Sequence, residues 1–280
     1  MEKNIINKNS RNANLKDTNS KSRVNGKNNK PLIIGNTKSY ITSLKDFYKL
    51  QDTIWSKLNK ESYKYHLAVP SSIISQIKSE KYNAFVIGAQ NFEAVENGAS
   101  TGANTLDNII EAGANFIIVG HSETRQMSDS DDLINLKIKK SLSKNLMTIL
   151  CVGEKSREVG DGFDYSEFIK TQIRKDLHNI NKENIDKLVI AYEPLWAVGA
   201  AISATSEEAQ EAIIIIRRTL VDIFGIDSAK KIKVIYGGSV DECNAKRFVD
   251  EATADGVLVG RACMDAEKWS GIVNSLNSAI

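Results

Sequence analysis

The chain has 280 residues, 41% of them hydrophobic and 26% charged, with a formal net charge of +2. This is ordinary globular composition and excludes collagen-like, low-complexity and disulfide-scaffold classes. No apolar run approaches the roughly 20 residues of a membrane-spanning helix, no secretory apolar segment is present, and the near-balanced charge calls for no nucleic-acid or membrane partner.

In chain order, residues 1–30 come first. They hold eight Lys and Arg against Glu2 and Asp17, about +6, which leaves about −4 for the remainder. The segment is rich in asparagine and has no apolar periodicity, so it reads as a disordered basic extension. A transit peptide would share the basic, acid-poor, serine-containing character, but the amphipathic Arg-rich stripe is missing. Cys151, Cys243 and Cys263 form no even disulfide framework and suit a reducing compartment, so a cytoplasmic location is expected.

Residues 31–280 then alternate short apolar runs with longer amphipathic ones. The predicted strands are 31–35, 66–69, 85–89, 116–119, 148–152, 188–192, 233–236 and 256–259, and the predicted helices are 44–58, 71–79, 106–112, 131–144, 165–178, 206–224, 243–249 and 266–279. Ser206, followed by Glu207 and Glu208, reads as a helix N-cap with acids in the first turn. Alternating βα units imply a parallel sheet with right-handed crossovers. Eight of them in about 250 residues point to one α/β domain, a closed (β/α)8 barrel, rather than an open sheet.

In such folds chemistry sits beyond the carboxyl ends of the strands. Asn36 and Lys38 follow the first strand, His121 and Glu123 the fourth, Glu154 the fifth and Glu193 the sixth. Tyr236-Gly237-Gly238-Ser239 closes the seventh and Gly260-Arg261 the eighth. Singly each is ordinary: a solvated lysine, a structural histidine, a tight turn. At successive strand ends they form a set. Pro194 stops the sixth strand, and the small apolar residues from Leu195 to Ala201 read as a flap that closes over Glu193 and expels water. Two glycine-rich turns bring backbone N–H groups close to an anion, joined by the Ser239 hydroxyl and the Gly199 N–H. Lys38 supplies positive charge, Asn36 a hydrogen-bond donor, Glu193 a base and His121 a group that polarises a carbonyl. Such a set suits proton abstraction beside the carbonyl of a small phosphorylated sugar.

From about residue 32 to 272 the sequence resembles the triosephosphate isomerase family. The likeness is carried by Gly88-Ala-Gln-Asn91, Gly120-His-Ser-Glu123, Cys151-Val-Gly-Glu154, Ala191-Tyr-Glu-Pro194, Trp196-Ala-Val-Gly199 and Tyr236-Gly-Gly-Ser-Val240. The resemblance implies a TIM barrel that interconverts dihydroxyacetone phosphate and glyceraldehyde 3-phosphate through an enediolate. Glu193 would be the base, His121 the electrophile, and Lys38 and Asn36 the electrostatic groups. Gly199, Ser239, Gly260 and Arg261 would serve the phosphate; Glu123, Glu154, Tyr236 and Trp196 would stand behind them, with Glu154 orienting Trp196. No metal or organic cofactor is implied. A homodimer is, with the 91–103 loop docking near the partner's site and Thr101 reaching across.

The departures from the family pattern are local. Thr37 replaces a Trp between Asn36 and Lys38. Ala103 and Thr124 replace a Glu and an Arg that normally pair, and losing both leaves no orphan charge. Gly199-Ala200-Ala201-Ile202 replaces Gly-Thr-Gly-Lys at the flap tip, where Ala201 resists a positive φ and should alter opening and closing rates. Arg261 replaces a Gly, and its N–H is expected to face the anion while its side chain points to solvent. The altered first turn and Arg261 also leave open a four-carbon sugar phosphate as substrate. A barrel kept only for binding is the reading from outside enzyme chemistry.

Overall fold

A computed structural model describes residues 30–58, 64–77, 85–157, 164–197 and 203–277. The expected extension therefore lies outside the described residues, apart from Lys30. So do Gly199 and the flap tip 200–202.

Eight parallel strands close into a barrel in sequential order: β1 (Leu32–Asn36), β2 (Tyr65–Val69), β3 (Phe85–Ala89), β4 (Phe116–Val119), β5 (Met147–Val152), β6 (Leu188–Tyr192), β7 (Lys233–Tyr236) and β8 (Gly256–Val259). Closure is made by β1, which pairs with β2 through Ile34 and His66 and with β8 through Ile34 and Leu258. Among the described residues ten α-helices are interleaved: α1 (Leu44–Lys57), α2 (Ser71–Ile74), α3 (Leu106–Glu111), α4 (Ser122–Met127), α5 (Asp131–Ser143), α6 (Tyr165–Asp176), α7 (Ser206–Phe224), α8 (Ile226–Ala229), α9 (Ala245–Asp250) and α10 (Ala266–Asn277).

The strands are apolar on both faces because both are covered. Leu32, Ile34, Phe116, Ile118, Ile149, Val189 and Ile235 form one buried cluster, with the interior parity of their strands. Their neighbours Ile33, Ile117, Leu150 and Ile190 belong to a second cluster shared with Ile134, Ile169 and Ile213 of the helices. The period of two along each strand thus divides the core into a barrel interior and a strand–helix layer.

Several boundaries differ from the sequence expectation. Asn36 is the last residue of β1, not the first residue after it. The helix expected over 71–79 holds only Ser71–Ile74, and residues 78 and 79 lie outside the described residues. The helix expected from Cys243 begins at Ala245. The N-cap of α7 is Thr205, not Ser206. Its hydroxyl accepts the Glu208 N–H at 3.1 Å while the Glu208 carboxylate accepts the Thr205 N–H at 2.8 Å, a complete capping box. A residue one position earlier reaches the third helical N–H, which is why threonine outcompetes the adjacent serine. The short helices α4 and α8 carry too little apolar periodicity to be visible in the sequence.

Candidate active site

The carboxyl ends of the strands open on a cavity of about 460 Å³. Asn36 and Lys38 line it from β1, His121 from β4, Glu193 from β6, Ser239 from the turn after β7, and Gly260 and Arg261 from the turn after β8. Each contributing strand points its last residues the same way, so parallel topology alone brings together groups as far apart in sequence as Asn36 and Arg261.

His121 caps α4. Its Nδ1 accepts the Glu123 N–H at 3.2 Å, so the ring proton sits on Nε2. That Nε2 lies 3.5 Å from Glu193 Oε1. Both residues are buried, at 7% and 3% exposure, so imidazole and carboxylate face each other largely out of water. Glu193 Oε2 also accepts the Ser122 N–H at 3.4 Å.

Glu193 is seated by its neighbours. Its own N–H donates to Val152 O at 2.7 Å, and the next turn is tied by Gly237 N–H to Tyr192 O at 2.7 Å. Gly153 is required for this approach, since a Cβ there would stand 1.9 Å from Glu193 O. Burial, and after it the adjacent Glu193 carboxylate, pushes the Cys151 thiol well above its ordinary range. Cys151 is therefore an inert barrel residue and not a nucleophile.

Lys38 Nζ donates to Glu123 Oε1 at 2.6 Å; the pair is partly exposed and serves to aim the ammonium rather than to stabilise the fold. Asn36 Oδ1 accepts the Lys38 N–H at 3.0 Å, which leaves the Asn36 amide NH₂ as the group available to a ligand. Ser239 Oγ donates to Ala197 O at 2.7 Å, joining the β7 turn to the chain after Glu193. A Cβ built on Gly260 would meet nothing nearer than Lys38 Cε at 3.9 Å, so the backbone there is open to a ligand beside the lysine. Arg261 is exposed at the cavity edge.

The remaining predicted residues stand outside the cavity. Glu154 is fully buried, and its Oε1 accepts from Tyr192 O–H at 2.8 Å, Trp196 Nε1–H at 2.9 Å and Arg157 Nε–H at 2.9 Å. A carboxylate oxygen committed to three donors is an anchor for Trp196, not a base. Tyr236 stacks on Phe248 at 3.7 Å between ring centres and lies beneath Gly238, where a Cβ would stand 2.3 Å from its hydroxyl. Thr101 is exposed in the 91–103 loop and does not line the cavity of its own chain.

Two contributors had not been singled out from the sequence. Arg125 donates to Gly120 O at 2.8 Å and Cys151 O at 3.1 Å, clamping the ends of β4 and β5 next to His121 and Glu193. Gln90 reaches the backbone around Lys38. Its place in Gly-Ala-Gln-Asn at the end of β3 was the available signal. A second cavity, of about 420 Å³, lies on the other side of Glu193 between Arg125 and Gln172, but Lys38 and the two glycine turns do not border it.

A buried carboxylate, an imidazole, an ammonium and an open glycine turn meet at the carboxyl end of a closed parallel barrel, the arrangement of a (β/α)8-barrel enzyme. The sequence model of the family described as Triosephosphate isomerase matches residues 31–276. The chain belongs to the triosephosphate isomerase family. It is 36% identical to the triosephosphate isomerase of Alkaliphilus oremlandii, over 88% of this chain and 99% of that one. It is 39% identical to that of Clostridium botulinum strain Loch Maree, over 72% and 81% of the two chains. The crystal structure of triosephosphate isomerase from Bartonella henselae superposes with a TM-score of 0.76 at 27% identity, covering 89% of this chain and 99% of that one.

Proposed function

We propose that this chain interconverts dihydroxyacetone phosphate and D-glyceraldehyde 3-phosphate by proton transfer through an enediolate. The observation that carries this reading is the pairing of the buried Glu193 carboxylate with the Nε2 of His121, 3.5 Å apart on the wall that Lys38 and Gly260 share. Glu193 takes the proton from the carbon beside the carbonyl. The C–H electron pair becomes the C=C bond, and the carbonyl π pair moves onto oxygen, where Nε2–H of His121 and the Lys38 ammonium stabilise it. His121 then passes protons between the two oxygens, and Glu193 returns its proton to the neighbouring carbon. The phosphate is held by backbone N–H groups of the two glycine turns, and this reading adds Ser239 and Gly199 as further donors, because oriented amides bind an anion without needing to reorganise.

Four features complete the proposal. The barrel domain spans 31–280 and residues 1–30 are a basic extension dispensable for turnover. The enzyme is a homodimer that uses the 91–103 loop. It requires no cofactor. It works in the cytoplasm, a reducing compartment that suits three cysteines with no even disulfide framework. Among the described residues no helix is long and apolar enough to cross a membrane.

The test is a coupled assay of triose phosphate interconversion, run beside the corresponding four-carbon ketose phosphate. The expected result is a higher kcat/KM on the triose and a loss of roughly 10³-fold in kcat for Glu193→Gln. A higher kcat/KM on the tetrose would move the substrate assignment to the larger sugar. Unchanged kcat in Glu193→Gln would remove Glu193 as the base.

A further inference from the structure

Among the described non-glycine residues of the cavity, Lys38 alone has a positive φ, +47°. A left-handed backbone is unfavourable for an ordinary side chain, so it persists only where the surroundings fix it. Two side chains fix it here. Asn36 Oδ1 accepts the Lys38 N–H at 3.0 Å, and Gln90 Nε2 donates to the Lys38 carbonyl at 2.8 Å.

The same Gln90 nitrogen lies 3.2 Å from Thr37 Oγ1 and 3.1 Å from Ala68 O, so its two hydrogens are shared among three acceptors. Thr37 uses its own hydroxyl proton on Ala68 O, at 3.1 Å, so its oxygen offers Gln90 only lone pairs. Gln90 thus faces three acceptors, and that sets the amide's orientation, since a flipped amide would put its oxygen against three others. Gln90 follows β3, Ala68 lies in β2 and Thr37 follows β1. One side chain ties the carboxyl ends of three adjacent strands around Lys38. An indole at position 37 would have no acceptor to offer, so the hydroxyl link goes with the threonine this chain carries.

We propose that Gln90, acting with Thr37, is a positioning residue for Lys38. It holds the lysine backbone in the left-handed conformation that sets the ammonium beside the Gly260 turn, and so sets the affinity of the cavity for a phosphate group. The proposal rests on the reading of this cavity as a phosphate-ester site.

Calorimetric titration with inorganic phosphate tests it without depending on turnover, with kcat/KM and thermal melting measured in parallel. Gln90→Met keeps the length of the side chain and removes the donor. It is expected to weaken phosphate binding about tenfold and to lower kcat/KM by about ten- to a hundredfold. Thr37→Val should give a smaller loss in the same direction, and it serves as the test if Gln90→Met does not fold. In a Lys38→Ala background Gln90→Met should cause no further loss of phosphate affinity, while its effect on melting persists. A drop in melting temperature with phosphate affinity and kcat/KM unchanged overturns the proposal. So does a loss that adds in full to that of Lys38→Ala. A wild type that binds phosphate with this pattern of variants but turns over no triose phosphate would instead overturn the functional reading and leave the positioning role standing.

Discussion

At the scale of single residues, the buried ionisable groups differ in what surrounds them. Glu193 and His121 are buried and face one another, whereas Glu154, equally buried, is bound by three donors. Spacing alone treats these two glutamates alike, since each closes a strand; the family resemblance implied that Glu154 orients Trp196, and the Trp196 Nε1–H bond to its Oε1 at 2.9 Å agrees. Asp176 is a third case. It meets Arg125 at 2.5 Å, yet burial raises its carboxyl to about 7, with Arg125 opposing. The folded protein therefore keeps a proton that the unfolded chain releases near pH 4. This contribution to stability is complete below about pH 4 and is lost as pH rises towards 7. We expect the unfolding free energy of wild type relative to Asp176→Asn to fall by on the order of 2–4 kcal/mol between pH 4 and pH 8. Denaturant melts at several pH values check this, and a difference that is flat or rises with pH contradicts it.

Among the elements, strands were more legible than helix ends. A strand buried on both faces is a run of Ile, Val and Leu, and such runs located β3, β4, β6, β7 and β8 to the residue. Helix starts depend on which hydroxyl reaches an orphan N–H, a matter of one residue that composition does not decide. This is why Thr205 and not Ser206 begins α7. Thr205→Ala should destabilise the protein by about 1 kcal/mol, against no more than a few tenths for a solvent-facing Thr→Ala such as Thr171→Ala. Equal effects in chemical denaturation would argue against the capping box. Helix α4 is six residues long and polar, so no periodicity announced it, yet it gives His121 the N–H that leaves its proton on Nε2.

For the whole molecule, closure of the barrel converts sequence distance into proximity. The matched family region begins at residue 31 and β1 at Leu32, and every described residue that lines the cavity follows them. A protein beginning at Lys30 is expected to keep wild-type kcat/KM and melting temperature, and to sediment at twice its own chain mass. A monomer with full activity would refute the dimer reading; a truncated protein that loses activity would give the extension a role in the barrel.

The eight βα units, the strand runs and the candidate residues Asn36, Lys38, His121 and Glu193 were all legible in the amino-acid sequence, because burial periodicity and strand-end chemistry are local and leave a local trace. What the fold alone reveals is the set of partners: three donors on Glu154, His121 opposite Glu193, Gln90 and Arg125 bracing the strand ends, and Lys38 held left-handed. Those facts depend on contacts between strand ends tens of residues apart, and on distances of a few tenths of an ångström that no pattern of residue types encodes.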